Sequence, residues 1–254
     1  MRVAAWLLLA ALAAAAAPAR RVLLIGNSAY QHLPTLRSPK ANVQALGASL
    51  SKMQSQPQAV YDVSQVELIA TVRKFMETVQ PGDFVLIYFS GYGYQDAASG
   101  LNYLLPVGFD PKDRTAISQK ALAVRSFESR LEERKAGTRM LLLDACRQAP
   151  GLPVGLATFA PHSGQVVSFS APANQTAVDP ASGGVNSFTA ALIQALETPG
   201  STPASVAALL PSVIETPLDA LVFTPARPAD SGVRGQPTGA NPQANPANLD
   251  KCQS

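Results

Sequence analysis

Short apolar runs without polar interruption recur along most of the chain, and helix-like segments separate them. The clearest runs are Val22–Gly26, Phe84–Phe89, Met140–Leu143 and Val166–Phe169, with a weaker one over 59–63. Runs of this length are typical of strands that are buried on both faces of a parallel sheet. The sequence therefore predicts an α/β fold, with helices on both faces of a mostly parallel sheet.

The segments between these runs carry helix signals. Ser38 is predicted to cap the first helix, with Pro39 at its first position. Ser64 and Glu67 have the spacing of a capping box for the second helix. The apolar face predicted for that helix is Val66, Ile69, Val72, Met76 and Val79. Further helices are predicted over 124–135, 187–197 and 202–210.

Residues 1–19 are predicted to be a signal peptide. Arg2 gives the positive start, residues 3–17 are apolar, and Ala17-Pro18-Ala19 places small residues where a signal peptidase cleaves. A retained membrane anchor is the alternative, but the apolar stretch has about 15 residues where a span needs about 20. We therefore expect an exported protein, periplasmic or extracellular, without membrane attachment after cleavage.

Composition argues against several function classes. The 20 basic and 17 acidic residues give a net charge of +3, and no basic stripe follows a helix, so nucleic acid is not an expected partner. Two cysteines and two histidines, widely spaced, make no metal-site pattern, and no cofactor is expected. Cys146 and Cys252 could pair in an exported protein, although nothing implies that they do. Residues 225–254 are rich in Pro, Gly, Asn and Ala and are predicted to be disordered.

Two strand ends carry the candidate functional residues. Ser90-Gly91-Tyr92-Gly93 follows the most apolar strand, and Asp144-Ala145-Cys146-Arg147 follows the next strong one. Ligands and catalytic groups of open parallel sheets gather at the carboxyl ends of strands. If the two strands are neighbours, Tyr92 and Cys146 face each other across a short gap. Asp144 and Cys146 point to the same side while the chain stays extended.

Both segments resemble motifs of the caspase and metacaspase superfamily of cysteine peptidases, in its bacterial branch. Residues 89–93 are similar to the family's aromatic-Ser-Gly-His-Gly segment, and residues 143–147 to its nucleophile segment. Other similar segments, in the same order, are 21–30, 36–39, 102–106, 170–172 and 186–189. The resemblance implies a three-layer caspase-type domain over 20–224, best matched over 21–198, with Cys146 as nucleophile.

The chain departs from the family pattern at three places. Tyr92 stands where the catalytic histidine is expected, and Asn42 where relatives usually carry aspartate. The resemblance places residue 42 and Asp144 in a pocket for a basic substrate side chain, with backbone amides near Gly93 and Cys146 as oxyanion donors. The third departure is the closing strand of the sheet, for which residues 221–223 are a poor candidate.

Replacing the histidine removes the base that a cysteine nucleophile needs. Thiols titrate near pH 8.5 and phenols near pH 10, so at pH 7 tyrosine is a poor base, and a loss of about 10²- to 10⁴-fold is expected. We therefore expect a catalytically impaired domain that binds a peptide or protein in the cleft. Two alternatives stay open. One is an active endopeptidase that uses His32, His162 or a partner's residue as base. The other is an α/β ligand-binding domain without peptidase ancestry.

Overall fold

The computed structural model describes residues 18–53, 55–113, 115–145, 151–152, 155–172, 175–177, 179–210, 213–215 and 223. Most of the predicted signal peptide, both cysteines, Arg147 and the predicted tail lie outside these ranges. Within them, the helices are all too short or too polar to cross a bilayer.

The described chain alternates strands and helices as the apolar pattern predicts. The elements are β1 (Arg20–Gly26), α1 (Ser38–Lys52), β2 (Gln58–Tyr61), α2 (Gln65–Thr78), β3 (Phe84–Ser90), β4 (Gly93–Gln95), β5 (Asn102–Leu104), a 3₁₀ turn (Ile117–Gln119), β6 (Leu122–Ala123), α3 (Arg125–Glu133), β7 (Arg139–Asp144), β8 (Gln165–Phe169), α4 (Ser187–Glu197), α5 (Pro203–Ala207) and β9 (Val213–Glu215). Six strands form one sheet in the order β2-β1-β3-β7-β8-β9, parallel except for β9. The predicted three-layer α/β fold is confirmed.

Strand β3 lies at the centre and shows why its sequence is apolar throughout. All seven of its residues are buried, and successive side chains point to opposite faces. Val85, Ile87 and Phe89 pack with α2 and α3, whereas Phe84, Leu86 and Tyr88 pack with α1, α4 and α5. A polar residue on either face would be buried, so no alternation remains in the sequence.

Helix α2 begins with the predicted capping box, but its buried face differs from the prediction. Ser64 and Glu67 bond reciprocally through side chain and backbone. Val66 and Ile69, predicted to be inward, are 77% and 45% exposed. The buried residues are Leu68, Val72, Phe75 and Met76. These larger side chains also recur at helical spacing, so the helix turns Leu68 and Phe75 inward and leaves the two β-branched residues in solvent.

The start of α1 corrects the predicted cap. Ser38 is the first helical residue, and Arg37 occupies the cap position, where its side chain makes no capping bond. The carboxylate of Asp179 instead accepts the N–H groups of Arg37 (2.7 Å) and Ser38 (3.0 Å), as well as the Ser38 hydroxyl. A remote acid thus supplies both the capping oxygens and the negative charge that a helix N-terminus favours.

Two strand regions were not predicted. The segment after β3, for which no strand was predicted, forms an antiparallel sheet of β4, β5 and β6. Among the described residues, β9 is the last strand of the main sheet. Of the predicted candidate over 221–223, Leu221 and Val222 lie outside the described residues. Phe223 is described, and its ring packs edge-on against Phe84 at 5.1 Å. Strand β9 has only three residues and pairs on one side, which gives little pattern to detect.

Candidate active site

Strands β3 and β7 are neighbours, and they bring the two candidate segments side by side. Ser90 pairs with Asp144 at the carboxyl end of the parallel ladder. Beyond it, the Gly91 N–H donates to the Asp144 carbonyl (3.1 Å) and the Gly93 N–H to the Ala145 carbonyl (2.9 Å). The condition on which the predicted facing of Tyr92 and Cys146 depends, that the two strands are neighbours, is met. Cys146 and Arg147 lie outside the described residues, so the facing of Tyr92 and Cys146 stays a prediction.

Close packing explains both glycines of this segment. A Cβ atom at position 91 would lie 2.6 Å from the Tyr30 hydroxyl, closer than real contacts allow. At position 93 it would lie 2.7 Å from Cδ2 of Leu156 and 2.8 Å from the Ala145 carbonyl oxygen. Glycine is needed wherever a backbone approaches its neighbours this closely.

Tyr92 is a packed residue. Its side chain is 1% exposed, and its ring meets Tyr30 edge-on with centroids 4.8 Å apart. The Tyr92 hydroxyl donates to the Pro34 carbonyl (3.1 Å), in the loop after β1. The Tyr92 N–H donates to the Tyr30 hydroxyl (2.8 Å), and burial raises the pKa of Tyr30 well above its usual range. Tyr92 therefore fills space and ties two loops together.

The amide of Gly93 is already bonded. It was expected near the oxyanion donors, but it donates to the Ala145 carbonyl, and the neighbouring Tyr92 amide donates to Tyr30. An oxyanion donor must point its N–H at the position where the charge develops. In this arrangement neither amide does so, because the Gly93 N–H bonds to Ala145 and the Tyr92 N–H to the Tyr30 hydroxyl.

Asn42 and Asp144 lie together, as the resemblance implies. The Asn42 amide donates to Oδ2 of Asp144 over 3.0 Å. Both residues are 0% exposed, so a substrate side chain does not reach either of them in this conformation. Asn42 also accepts a bond from the Asn186 N–H (3.0 Å), which ties α1 to the start of α4.

Three further residues complete a buried polar network around Asp144. Besides Asn42, Oδ2 of Asp144 lies near the hydroxyl of Ser90 (2.8 Å), the amide of Asn186 (2.7 Å) and the hydroxyl of Tyr88 (3.3 Å). No contact with Asp144 was predicted for these three residues. Asn186 was detectable as the cap of α4, where its oxygen accepts the Thr189 N–H (2.9 Å). Its second role, towards Asp144, depends on the tertiary fold.

The two histidines lie at opposite ends of the parallel strands. His32 is exposed in the loop after β1, at the carboxyl ends of the strands, where the candidate site also lies. His162 comes just before β8, its N–H donates to the Gln165 side chain, and its Nδ1 lies 3.7 Å from Glu132. His162 thus lies at the amino ends of the strands, about 17 Å from their carboxyl ends along a strand of six residues. His162 therefore does not reach the end of β7 in this structure.

Metal binding has no support in the described ranges, where no three His, Cys, Asp or Glu side chains cluster closely enough to hold an ion.

Comparison with known families decides the ancestry of this site. A family model described as the caspase domain matches residues 19–216. The chain belongs to the caspase domain family. The alternative of an α/β domain without peptidase ancestry is therefore wrong, and peptidase-family membership is established for the region that carries both candidate segments.

Individual relatives agree with this assignment. The chain is 29% identical over 126 residues, half of its length, to the mouse mucosa-associated lymphoid tissue lymphoma translocation protein 1 homolog and to its human counterpart. The match spans only 14% and 15% of those two proteins. A Geobacter sulfurreducens protein of known crystal structure superposes with a TM-score of 0.58 over 80% of this chain and 95% of its own, at 13% identity. That likeness supports the fold alone.

Proposed function

We propose that this chain is an exported, catalytically impaired member of the caspase domain family that binds a peptide or protein in the cleft at the carboxyl ends of β3 and β7. The observation that carries the proposal is the state of Tyr92. The residue at the position of the expected base is buried against Tyr30, and its hydroxyl donates to a backbone carbonyl. A phenol held in this way is a poor proton acceptor for a thiol.

The state of the substrate pocket supports the same proposal. Two acids at positions 42 and 144 would repel each other when buried, and a basic substrate side chain would relieve that repulsion. With asparagine at 42, the amide donates to Asp144 and the pair is satisfied within the protein. The requirement for a basic substrate residue is thereby weakened, and any peptide ligand would be selected by other contacts.

An active endopeptidase that recruits another base remains the second candidate. His32 favours it, because this residue is exposed in the loop after β1, on the side of the sheet where the carboxyl ends of β3 and β7 lie. The intact Asp144-Ala145-Cys146 segment favours it as well. His162 does not favour this candidate, because it lies at the amino ends of the strands and contacts Glu132.

A peptide-library cleavage assay tests the proposal. Wild-type protein, Cys146→Ala, Tyr92→His and His32→Ala are compared side by side. We expect wild type and Cys146→Ala to be indistinguishable. Cleavage by wild type that Cys146→Ala abolishes would overturn the proposal, and its loss in His32→Ala would identify the base.

Tyr92→His reports how far the impairment extends. Cleavage by this variant alone would show that one residue holds the enzyme inactive. If Tyr92→His is also inactive, the bonded Gly93 amide and the satisfied Asn42–Asp144 pair contribute to the impairment. Peptides retained by immobilised Cys146→Ala protein would then define the ligand that the cleft binds, and retention of none would contradict the binding role.

Export is tested separately. Expression of the full sequence with a C-terminal tag, followed by cell fractionation, should give a periplasmic or extracellular product whose N-terminal residue is Arg20. A product that keeps Met1 and stays with the cells would contradict export.

A further inference from the structure

A cavity of about 290 Å³ lies beside α3, away from the ends of β3 and β7. Its apolar wall is formed by Leu101, Val124 and Phe159, and its polar side chains are Asn102, Arg125, Glu128 and His162. This volume is at the lower end of the range for ligand sites, which suits a molecule of about a dozen non-hydrogen atoms. No step of the proposed function uses this cavity.

Glu128 is the feature that points to a ligand. The residue is 6% exposed, and burial raises the pKa of its carboxyl group, although a hydrogen bond from Gln165 and the nearby positive charges act in the opposite direction. No described residue donates a hydrogen bond to its Oε1 atom. A buried carboxylate oxygen without a donor costs free energy that a bound hydrogen-bond donor would recover.

The neighbouring cationic side chains do not donate a hydrogen bond to Oε1 of Glu128. Arg125 is exposed at the rim. The Arg139 guanidinium donates through one terminal nitrogen to the Ser163 carbonyl, and its Nε bonds to no described residue. His162 has Glu132 as its near acidic neighbour, at 3.7 Å. An anionic ligand would be repelled by Glu128 at the buried end of the cavity. A ligand with an apolar body and a protonated amine would match both the wall and the acid.

We propose that the cavity between α3, β5 and residues 155–162 is a binding site for a small aromatic or aliphatic amine, whose ammonium group donates to Glu128. One wall of the cavity leads to the candidate active site. Leu156 packs against Gly93, and the side-chain amide of Asn102 makes two bonds to the Ala157 backbone (2.6 and 2.9 Å) before the chain reaches Phe159. A bound amine would therefore hold this wall in place, whether or not Cys146 is active.

The test compares three ligands of similar size. Tryptamine carries an ammonium group, tryptophol a hydroxyl and indole-3-acetate a carboxylate. Binding to the purified protein is measured by calorimetry, and the site is located by amide chemical-shift changes in ¹⁵N-labelled protein. We expect tryptamine to bind about tenfold more tightly than tryptophol, which corresponds to one charged hydrogen bond, with shifts at Leu101, Val124 and Phe159. Indole-3-acetate should bind most weakly.

Matched variants locate the charge that is recognised. Glu128→Gln keeps the shape and should weaken tryptamine binding about tenfold without changing the affinity for tryptophol. Glu133→Gln, which removes an exposed charge from the same helix, should change neither. Ala160→Trp is expected to fill the cavity from its exposed rim and abolish binding of all three, and it serves if Glu128→Gln does not fold. Equal binding of tryptamine and tryptophol, preference for indole-3-acetate, or shifts confined to other surfaces would overturn the proposal.

Discussion

Asp144 and Glu128 are both buried acids, and their surroundings differ. Oδ2 of Asp144 lies within 3.3 Å of four donor groups, supplied by β3, α1 and the N-terminal cap of α4. Oε1 of Glu128 receives no hydrogen bond from any described residue and belongs to a residue that lines a cavity. The acid at the end of β7 is thus satisfied within the protein, whereas one carboxylate oxygen of the acid on α3 bonds to no described residue.

The largest expected effect tests whether the hydrogen-bond network around Asp144 stabilises the fold. Asp144→Ala would leave buried donors from Asn42, Ser90 and Asn186 without their acceptor. We expect the free energy of unfolding to fall by about 3–5 kcal/mol, measured by urea denaturation. Glu77→Ala removes an exposed acid from α2 and should cost less than about 0.5 kcal/mol. A loss at Asp144 as small as that of this control would mean that the network does not stabilise the fold.

Asn42→Asp would restore a second acid beside Asp144. Two buried carboxylates this close repel each other when both are ionised, so the variant should lose more stability at high pH than at low pH, measured by urea denaturation. We expect a loss of about 2 kcal/mol at pH 8 and a smaller one at pH 5. Equal losses at both pH values would show that residue 42 does not interact with Asp144.

Much of the fold was predictable because burial on both faces leaves a direct mark on the sequence. Strand β3 has no polar residue before Ser90, and the capping box at Ser64 is read from two positions three residues apart. Strand β9 was missed, because three residues paired on one side carry little pattern. The cap of α1 was misassigned, because its acid, Asp179, is distant in sequence.

The candidate site was only partly predictable. The pairing of Asn42 with Asp144 followed from the family resemblance and agrees with the geometry. The burial of Tyr92 and the bonded Gly93 amide did not follow, because they depend on how the loops after β1 and β7 pack. Glu128 gave no sequence signal, since a lone glutamate on a helix is normally exposed.

Asn102→Ala tests the wall that links the cavity to the candidate active site. The change removes both bonds to Ala157, and we expect a loss of about 1–2 kcal/mol in the free energy of unfolding. Amide hydrogen exchange over 155–162 should become faster, whereas exchange in α1 should stay unchanged. Ser99→Ala, in the turn before β5, is the control. Unchanged exchange over 155–162 would mean that Asn102 does not hold this segment.

The smallest expected effect concerns the carboxyl group of Glu128. Burial raises the pKa of Glu128 above its usual value of 4.5. The folded state therefore binds a proton more tightly than the unfolded state does, and the stabilisation is complete below pH 4.5 and lost as pH rises through the raised pKa. Glu128→Gln does not titrate, so its stability relative to wild type should increase between pH 4 and pH 8, measured by urea denaturation across that range. Glu133→Gln should follow the wild-type profile.

Saturating tryptamine should reduce the difference between wild type and Glu128→Gln at high pH, because the ammonium group compensates the buried charge of the wild-type carboxylate. Parallel profiles for wild type and Glu128→Gln would mean that this carboxylate is as well solvated in the fold as in the unfolded chain, and the contrast with Asp144 would then disappear.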